Sequence, residues 1–265
     1  MTEQSELSDI VDKSVGRARD LLAEASRVVA LTGAGISTDS GIPDFRGPKG
    51  LWTNDPEAEK LSDIRYYVSD DNIRRRVWED RLHSPVWQAV PNAGHLALVD
   101  LEAQGKLDTL VTQNIDGLHQ LAGNDPGRIV EIHGTMREAV CMSCGARSPM
   151  QVILDRVRAG DSDPHCERLV HGQICGGIID AATISFGQDL VENDIRRAEN
   201  AARVCDLLLA VGTSLAVYPA AGLVPIARSS GASVVIVNGL PTEMDDLAHV
   251  VVLGSISDLL PRLVA

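Results

Sequence analysis

Short apolar segments, most of them followed by glycine or small polar residues, constrain the fold of this 265-residue chain more than any other feature. Valine, isoleucine, leucine and alanine dominate these segments, and such runs are typical of parallel strands buried on both faces. They predict strands at 28–31, 107–112, 128–132, 182–186, 206–211, 233–237 and 249–253.

Helical segments separate most of the predicted strands. Apolar residues recur at helical spacing in 8–26, and helices are also predicted over 71–83, 93–104 and 256–263. Repeated strand–helix units predict an α/β fold with a doubly wound parallel sheet. The composition agrees, because 44% of the residues are hydrophobic and only 3% are aromatic, so the core must consist mainly of aliphatic side chains. We expect a single main core with one insertion.

Charge and cysteine usage limit the function classes. The formal net charge of −13 argues against direct nucleic-acid binding and would favour a basic peptide partner. No apolar stretch is long enough to span a membrane, and the N-terminal residues are polar and acidic, unlike a signal peptide. We therefore expect a cytoplasmic protein, in which the five cysteines are metal ligands or buried thiols rather than disulfides.

Three predicted strands end in turns that could hold a phosphate-containing ligand. The sequence Gly-Ala-Gly-Ile-Ser at 33–37 follows the first strand, but Thr38 stands where a full dinucleotide fingerprint has a third glycine. Gly212, Thr213 and Ser214 follow the strand at 206–211, and Asn238 follows the next one. Each turn alone could be ordinary turn chemistry. Together they predict one crevice at the carboxyl edge of the sheet.

Polar groups suited to catalysis follow two further strands. Gln113, Asn114 and Asp116 follow the strand at 107–112, where they could bind ribose hydroxyls and a carboxamide, or cap a helix. His133 lies between a predicted strand and Gly134. An imidazole there is a suitable proton acceptor at neutral pH, although an arbitrary histidine is more often a half-buried structural residue.

The cysteines predict a structural zinc site. Cys141 and Cys144 have the spacing of a zinc knuckle, and Cys166 and Cys175 form a second pair with a longer separation. His165 or His171 could replace one of these ligands. Four thiolates leave no open coordination position, which is typical of structural rather than catalytic zinc. Residues 139–180 interrupt the strand–helix alternation and are interpreted as an inserted metal module, whereas Cys205 is expected to be a core thiol.

In its motifs, the chain resembles the sirtuins, a family of NAD-dependent protein-lysine deacylases. The resemblance covers about residues 15–263 and rests on a set of motifs in a fixed order. They are GAGIS at 33–37, GIPDFR at 41–46, GLW at 50–52, PNAGH at 91–95, TQNIDGLH at 112–119, HG at 133–134, the four cysteines, FG at 186–187 and GTSLAVYPA at 212–220.

The resemblance implies a single catalytic domain over 1–265 with two parts. A large Rossmann-type part would comprise about 8–40, 86–138 and 180–265. A small part would combine a helical insertion at about 41–85 with the zinc module at about 139–179. NAD and the acyl-lysine would enter the cleft between the two parts from opposite sides.

The resemblance also implies roles for individual residues. His133 would be the catalytic base, with Asn114 and Asp116 as further catalytic residues. The nicotinamide and its ribose would contact Ala34, Ile42, Asp44, Phe45, Arg46, Gln113, Asn114, Ile115 and Asp116. The phosphates and the adenosine half would contact Gly33, Gly35, Ser37, Gly212, Thr213, Ser214 and Asn238. The substrate peptide would pair as a strand between 186–188 and 215–217, near Phe186, Gly187, Leu215 and Val217.

The implied reaction removes an acetyl or short-chain acyl group from a protein lysine, and yields nicotinamide and O-acyl-ADP-ribose. Mono-ADP-ribosylation is the alternative, because it would use the same NAD site. A zinc-containing dehydrogenase would need an open zinc and a full glycine fingerprint, and a zinc-ribbon binding module would leave His133 unexplained.

The chain departs from the family pattern at two places. Gln188 replaces a common glutamate, and Asp-Ala-Ala at 180–182 replaces the usual basic-Pro-acid sequence. It also lacks the Tyr-x-x-Arg pair that binds succinyl groups, for which Trp78 and Arg81 are the nearest match.

Overall fold

The computed structural model describes residues 3–44, 50 and 58–265. The strands are β1 Val28–Thr32, β2 Leu107–Thr112, β3 Ile129–Glu131, β4 Gly134–Cys141, β5 Arg147–Pro149, β6 Leu169–Val170, β7 Gln173–Ile174, β8 Ile179–Thr183, β9 Leu207–Val211, β10 Ser233–Asn238 and β11 Val250–Leu253. The α-helices are α1 Glu3–Glu24, α2 Ala58–Leu61, α3 Ile64–Ser69, α4 Asp71–Leu82, α5 Ala93–Ala103, α6 Leu118–Ala122, α7 Met150–Arg158, α8 Glu192–Val204, α9 Leu223–Ser229 and α10 Ile256–Val264. Short 3₁₀ helices lie at Ala34–Ser40, Pro85–Trp87, Ala220–Gly222 and Asp245–Leu247.

The main sheet is parallel, with strand order β11-β10-β9-β1-β2-β3. Every residue of β1 is buried, and its side chains alternate between two cores. Val28 and Ala30 pack with α1, α5 and α10 on one face, whereas Val29 and Leu31 pack with α8 and α9 on the other. The predicted doubly wound α/β fold is confirmed.

The strand order reverses between β1 and β9. From β1 the chain continues to β2 and β3 on one side, and it later returns to β9, β10 and β11 on the other side. Open α/β sheets bind ligands at such a switch point, outside the carboxyl ends of the strands. The two glycine-containing turns that follow β1 and β9 therefore meet at this point.

One predicted strand is displaced and belongs to a different sheet. We expected a strand at 182–186 in the parallel sheet, but β8 lies at Ile179–Thr183 and pairs antiparallel with β4 in a sheet of order β5-β4-β8. β8 connects the metal module back to the main sheet, and the hydrogen bond from Met142 N to Ile178 O (2.9 Å) extends the pairing towards the cysteines. Gly134 permits the close approach at the other end, because a Cβ there would lie 2.1 Å from Ala182 O.

The helical insertion and the metal module share one core. Trp78 of α4 is fully buried against Met150 and Leu154 of α7 and against residues of β4 and β8. Two ion pairs join the same segments: Arg74 to Asp163 (2.8 Å) and Arg81 to Asp180 (2.5 Å). We call this unit, comprising 58–82 and 139–181, the small part. In the described part of the chain, no helix is both long and apolar enough to cross a membrane.

Candidate active site

The turns after β1 and β9 are in direct backbone contact. Gly33 N donates to Val211 O (3.1 Å), and Gly35 N donates to Gly212 O (2.8 Å). A Cβ on Gly33 or Gly35 would lie 2.8 Å from Gly212 O, so no larger residue fits at either position. The glycines thus bring two loops together at the switch point. The residues after Gly33 form a 3₁₀ helix rather than the α-helix of a full dinucleotide fingerprint.

Asn114 and Asp116 lie beside these turns in a buried hydrogen-bond network. The Asn114 side chain donates to Gly33 O (3.1 Å) and contacts Ser37 Oγ (3.2 Å). Ser37 in turn donates to Asp116 Oδ2 (2.8 Å), and Asp116 Oδ1 accepts from Leu118 N (2.9 Å). Asp116 therefore bonds the first residue of α6, although the N-cap of this helix is Gly117 rather than the predicted Asn114 or Asp116, and it also fixes Ser37 in the β1 turn.

Gln113 connects the end of β2 to the turn after β9. Its side-chain amide donates to Thr213 Oγ1 (2.9 Å), which also accepts from Leu215 N (3.2 Å). Ser214 is exposed beside them. Asn238 ends β10, and its side chain donates to Leu240 O (2.7 Å). The predicted polar residues after β1, β2, β9 and β10 all follow carboxyl ends of strands in one sheet.

His133 follows β3 with its tautomer fixed. Nδ1 lies 2.9 Å from the backbone oxygen of Gln113. A carbonyl oxygen can only accept, so Nδ1 carries the proton and Nε2 keeps its lone pair. Burial lowers the pKa of His133 from its ordinary value, and the hydrogen bond to Gln113 opposes this effect in part. At neutral pH the ring is therefore neutral and has one nitrogen ready to accept a proton.

A pair of buried histidines lies next to this network and contacts it through Thr32 and Thr112. The rings of His95 and His119 lie 5.0 Å apart, and both residues are buried. His119 Nε2 lies 3.0 Å from Thr32 Oγ1, which donates to Thr112 Oγ1 (2.9 Å). Thr112 Oγ1 also accepts from Asn114 N (3.0 Å), so this chain of contacts ends at the backbone of Asn114.

Part of the predicted nicotinamide pocket lies beyond what the structure describes. Phe45 and Arg46 are outside the described residues. Ile42 and Asp44, which precede them, are half-buried, and Ile42 N donates to Ser37 O (3.3 Å). This contact brings the start of the segment to the same Ser37 that bonds Asp116.

The predicted peptide-binding residues differ in what they expose. Phe186 is 41% exposed, but its backbone N–H donates to Ser62 O and its carbonyl accepts from Ile64 N. Leu215 is only 1% exposed, so its side chain belongs to the core. Gly187 is exposed and Val217 is half-buried. An added strand would therefore have to bond residues other than Phe186.

The four predicted zinc ligands come together. All four sulfur atoms lie within 4.8 Å of one another, with Sγ–Sγ distances of 3.7 Å for Cys141–Cys175 and for Cys144–Cys166. A tetrahedral zinc with bonds of about 2.3 Å requires sulfur–sulfur distances of roughly 3.8 Å, so the residues fit this ion.

The long separation of Cys166 and Cys175 is closed by the β6–β7 hairpin. Cys175 N donates to Arg168 O (2.9 Å), and Gly176 N donates to Cys166 O (2.9 Å). Neither His165 nor His171 belongs to the sulfur group. Cys205 is buried elsewhere, as expected.

Arg137 is a residue that the sequence analysis did not single out. It lies on β4, and its Nε donates to Asp116 O (2.7 Å). A charged residue in a strand only four positions after His133 was the one signal that could have identified it.

The sequence of this chain is similar to that of known proteins along most of its length. The model of the Sir2 family matches residues 33–219. NAD-dependent protein deacetylase 2 of Streptomyces coelicolor is 49% identical over 236 residues, which are 89% of this chain and 95% of that protein. An NAD-dependent protein deacetylase of Rhodopseudomonas palustris is 39% identical and covers 91% and 92% of the two chains.

Solved structures of Sir2 proteins are also similar to this chain. A histidine-to-alanine variant of Sir2 with deacetylated p53 peptide and 3′-O-acetyl ADP-ribose matches with a TM-score of 0.84 and 33% identity, over 94% of this chain and 96% of that one. A Sir2 enzyme bound to a propionylated peptide matches with a TM-score of 0.82 and 31% identity, over the same shares. The chain belongs to the Sir2 family.

Proposed function

We propose that this protein removes acetyl and other short-chain acyl groups from protein lysines, with NAD as co-substrate and with nicotinamide and O-acyl-ADP-ribose as products. One observation carries the proposal: His133 Nδ1 is bonded to Gln113 O, which leaves Nε2 as the proton-accepting nitrogen, and the residue after Gln113, Asn114, belongs to the buried Asn114–Ser37–Asp116 network. The relatives named NAD-dependent protein deacetylase, and the Sir2 structures with acetyl-ADP-ribose and propionylated peptide, support the same chemistry.

The two contacting turns fit a dinucleotide. Their glycines bring the two loops into contact at the switch point, where open α/β sheets bind such ligands, and the hydroxyls of Ser37, Thr213 and Ser214 lie in or beside these turns. We assign the phosphates and the adenosine half to Gly33, Gly35, Ser37, Gly212, Thr213, Ser214 and Asn238. The nicotinamide side is assigned to Ala34, Ile42, Asp44, Gln113, Asn114, Ile115 and Asp116, together with Phe45 and Arg46, which lie outside the described residues.

NAD supplies a glycosidic bond at ribose C1′, and cleavage of that bond releases nicotinamide and leaves an ADP-ribose that can take the acyl group. In this proposal His133 accepts a proton from a ribose hydroxyl at Nε2, while the carbonyl of Gln113 keeps the ring in the correct tautomer. Asn114 and Asp116 orient the nicotinamide side, because Ser37 and the backbone fix both side chains. The four-thiolate metal folds the small part and takes no part in the reaction.

The substrate peptide would add as an extended strand near Gly187 and Val217. Phe186 would offer its exposed ring, and Leu215 would shape the turn from within the core. Trp78 and Arg81 do not form a site for a succinyl carboxylate, because Trp78 is fully buried and Arg81 is already paired with Asp180. This arrangement supports uncharged short-chain acyl groups as substrates.

The remaining proposals concern organisation and location. We propose a single catalytic domain with a Rossmann-type unit at about 8–40, 86–138 and 180–265 and an inserted unit at about 41–85 and 139–179. The small part defined above by its shared core (58–82 and 139–181) corresponds to this insertion, and β4 and β8 run across its limits. A cytoplasmic location is supported by the four closely placed thiols, which that compartment keeps reduced. Acyl-lysine proteins are the proposed partners, and the net charge of −13 supports the absence of direct nucleic-acid binding.

A single incubation tests the proposed function. The protein is mixed with NAD and an acetyl-lysine peptide, and nicotinamide, O-acetyl-ADP-ribose, protein-bound ADP-ribose and reduced NAD are followed together. Equal amounts of nicotinamide and O-acetyl-ADP-ribose are expected. Label transferred to protein without acyl transfer would instead indicate a mono-ADP-ribosyltransferase, and reduced NAD would contradict both reactions.

A further inference from the structure

Arg137 is a half-buried cation that the proposed reaction does not use. Its Nε donates to Asp116 O (2.7 Å), and Nη2 donates to Val86 O (3.4 Å). The guanidinium carbon lies 5.5 Å from the centre of the Trp87 ring. Three contacts from one side chain, to two backbone carbonyls and one aromatic ring, hold it in a single arrangement.

β4 holds two successive carbonyls of the turn that follows β2. Met136 N donates to Ile115 O (2.9 Å), and the next residue, Arg137, donates through Nε to Asp116 O. Gly117 has a positive φ of 70° and packs closely against the Arg137 side chain, because a Cβ at position 117 would lie 3.0 Å from Arg137 Cγ and Nε. The conformation of residues 115–117 therefore depends on the position of β4.

The other end of the Arg137 side chain reaches a segment that is joined to the small part. Val86 and Trp87 form the 3₁₀ helix after α4, and Trp87 Nε1 donates to Arg81 O (2.5 Å). Arg81 is paired with Asp180, and β4 itself ends at the metal ligand Cys141. Arg137 thus lies where the NAD turn, the strand leading to the metal and the helical insertion meet.

We propose that Arg137 is a positioning residue that holds the turn 114–117 in its NAD-binding conformation by fixing it to the small part. The inference rests on the proposed function for the identity of the ligand. Arg137 lies outside the motifs that carry the family resemblance, which stop at Gly134 and resume at Cys141. It is therefore a feature of this chain that the motifs do not record.

The test compares two arginines on neighbouring strands. Arg137→Met removes the donors but keeps most of the apolar stem. Arg147→Met is the matched control, because Arg147 lies on β5, its side chain is more than half exposed, and it pairs with the half-exposed Glu138. Arg137→Lys keeps the charge but loses the planar fork. Each protein is measured for NAD binding by calorimetry, for kcat and KM, for zinc content and for Tm.

We expect Arg137→Met to raise both the Kd and the KM for NAD by about tenfold, the effect of losing one charge-assisted hydrogen bond. The value of kcat should change by less than about threefold, because His133 is untouched. Arg137→Lys should recover part of the affinity, and Arg147→Met should bind NAD like the wild type.

Equal NAD affinity in the wild type and both Arg137 variants would overturn the proposal, even if Tm falls, because the role would then be structural. Should Arg137→Met fail to fold, the NAD affinity of Arg137→Lys alone decides in the same way. A wild type that binds NAD without deacylating the peptide contradicts the proposed function instead, and the calorimetric comparison of the arginine variants still tests this inference.

Discussion

The proposed NAD site and the small part keep their shapes by different interactions. At the carboxyl edge of the main sheet, single hydrogen bonds between side chains and to the backbone dominate, as Asn114 makes with Gly33 and Gln113 with Thr213, and the buried Asp116 carboxylate accepts from Ser37 and from Leu118 N. In the small part, charged groups dominate: four cysteine sulfurs lie in one cluster, and Arg74–Asp163 and Arg81–Asp180 form largely buried ion pairs.

This difference predicts different responses to mutation. A neutral hydrogen bond contributes about 1 kcal/mol, so the loss of one at the NAD site should misalign a ligand without unfolding the protein. Removing one member of a buried ion pair or a metal site leaves an uncompensated charge, which costs several kcal/mol. Changes near the NAD site should therefore alter kinetics at constant stability, and changes in the small part should alter stability.

Removal of the metal should have the largest effect. Structural zinc contributes about 10 kcal/mol or more to the folding of small metal-binding units. Chelation, or Cys166→Ser, should therefore unfold the small part and abolish activity. Thiol titration of the chelated protein should show about four newly reactive sulfurs per zinc released, as measured by a colorimetric thiol reagent and by metal analysis.

Two variants serve as controls for the metal site. Cys205→Ser and His171→Ala lie outside the sulfur cluster and should keep the full zinc content. If Cys166→Ser retains its zinc and its Tm, or if only three thiols are released, the four-cysteine site is contradicted and a histidine ligand becomes the explanation.

The second largest effect is expected from replacing His133 at the proposed NAD site. His133→Ala should lower kcat by about 10²–10⁴-fold, the usual contribution of a general base, while Tm and zinc content stay at wild-type values. His83→Ala, at an exposed position, should match the wild type in all three measurements. Near-normal deacylation by His133→Ala would remove His133 from its assigned role and would also remove the contrast between the two regions.

Features that depend on a short segment of the chain could be predicted from the sequence, whereas features that depend on contacts between distant segments could not. The strands of the main sheet, the glycine turns and the four cysteines were all predicted, because an apolar run or a motif is visible in a short segment. The strand predicted at 182–186 differs from the observed β8, Ile179–Thr183. The pairing of β8 with β4 joins segments about 40 residues apart, and neither segment carries a strong apolar pattern.

Interactions between distant segments account for what remained hidden. Arg137 bonds carbonyls at 86 and 116, and no property of residue 137 itself specifies those partners. The burial of Leu215 and the bonding of Phe186 to the helical insertion likewise depend on tertiary packing. Motif reasoning identified the candidate reacting groups, whereas the contacts that hold them in place became visible only in the folded chain.

The third effect tests the ion pairs of the small part. Arg74→Met leaves the Asp163 carboxylate, whose side chain is 9% exposed, without its partner. We expect a loss of about 3–5 kcal/mol in the free energy of unfolding of the small part, measured by urea denaturation. Arg76→Met, on the same helix, alters the exposed Arg76–Asp80 pair and should cost less than about 1 kcal/mol. Equal losses in the two variants would show that burial of the pair has no effect.

Counted per pH unit, the smallest effect is a pH dependence that comes from the histidine pair beside the proposed NAD site. Burial lowers the pKa of His95 to about 4, against a weaker opposing effect of Asp116, and burial with neighbouring His95 lowers the pKa of His119 to about 3. The unfolded chain takes up these protons below its ordinary pKa of 6.5, whereas the folded chain does not. Stability should therefore be unaffected by these groups above that pH and should fall between pH 6.5 and about pH 4.

Each histidine contributes up to about 1.4 kcal/mol per pH unit in that window. His119→Asn should remove one of these two contributions, so the slope of unfolding free energy against pH should fall by up to about 1.4 kcal/mol per pH unit, whatever the variant's absolute stability. An unchanged slope in His119→Asn would mean that the buried pair can accept a proton in the folded state. The histidine pair would then carry charge inside the fold, as the ion pairs of the small part do, and the distinction between the two regions would be weaker.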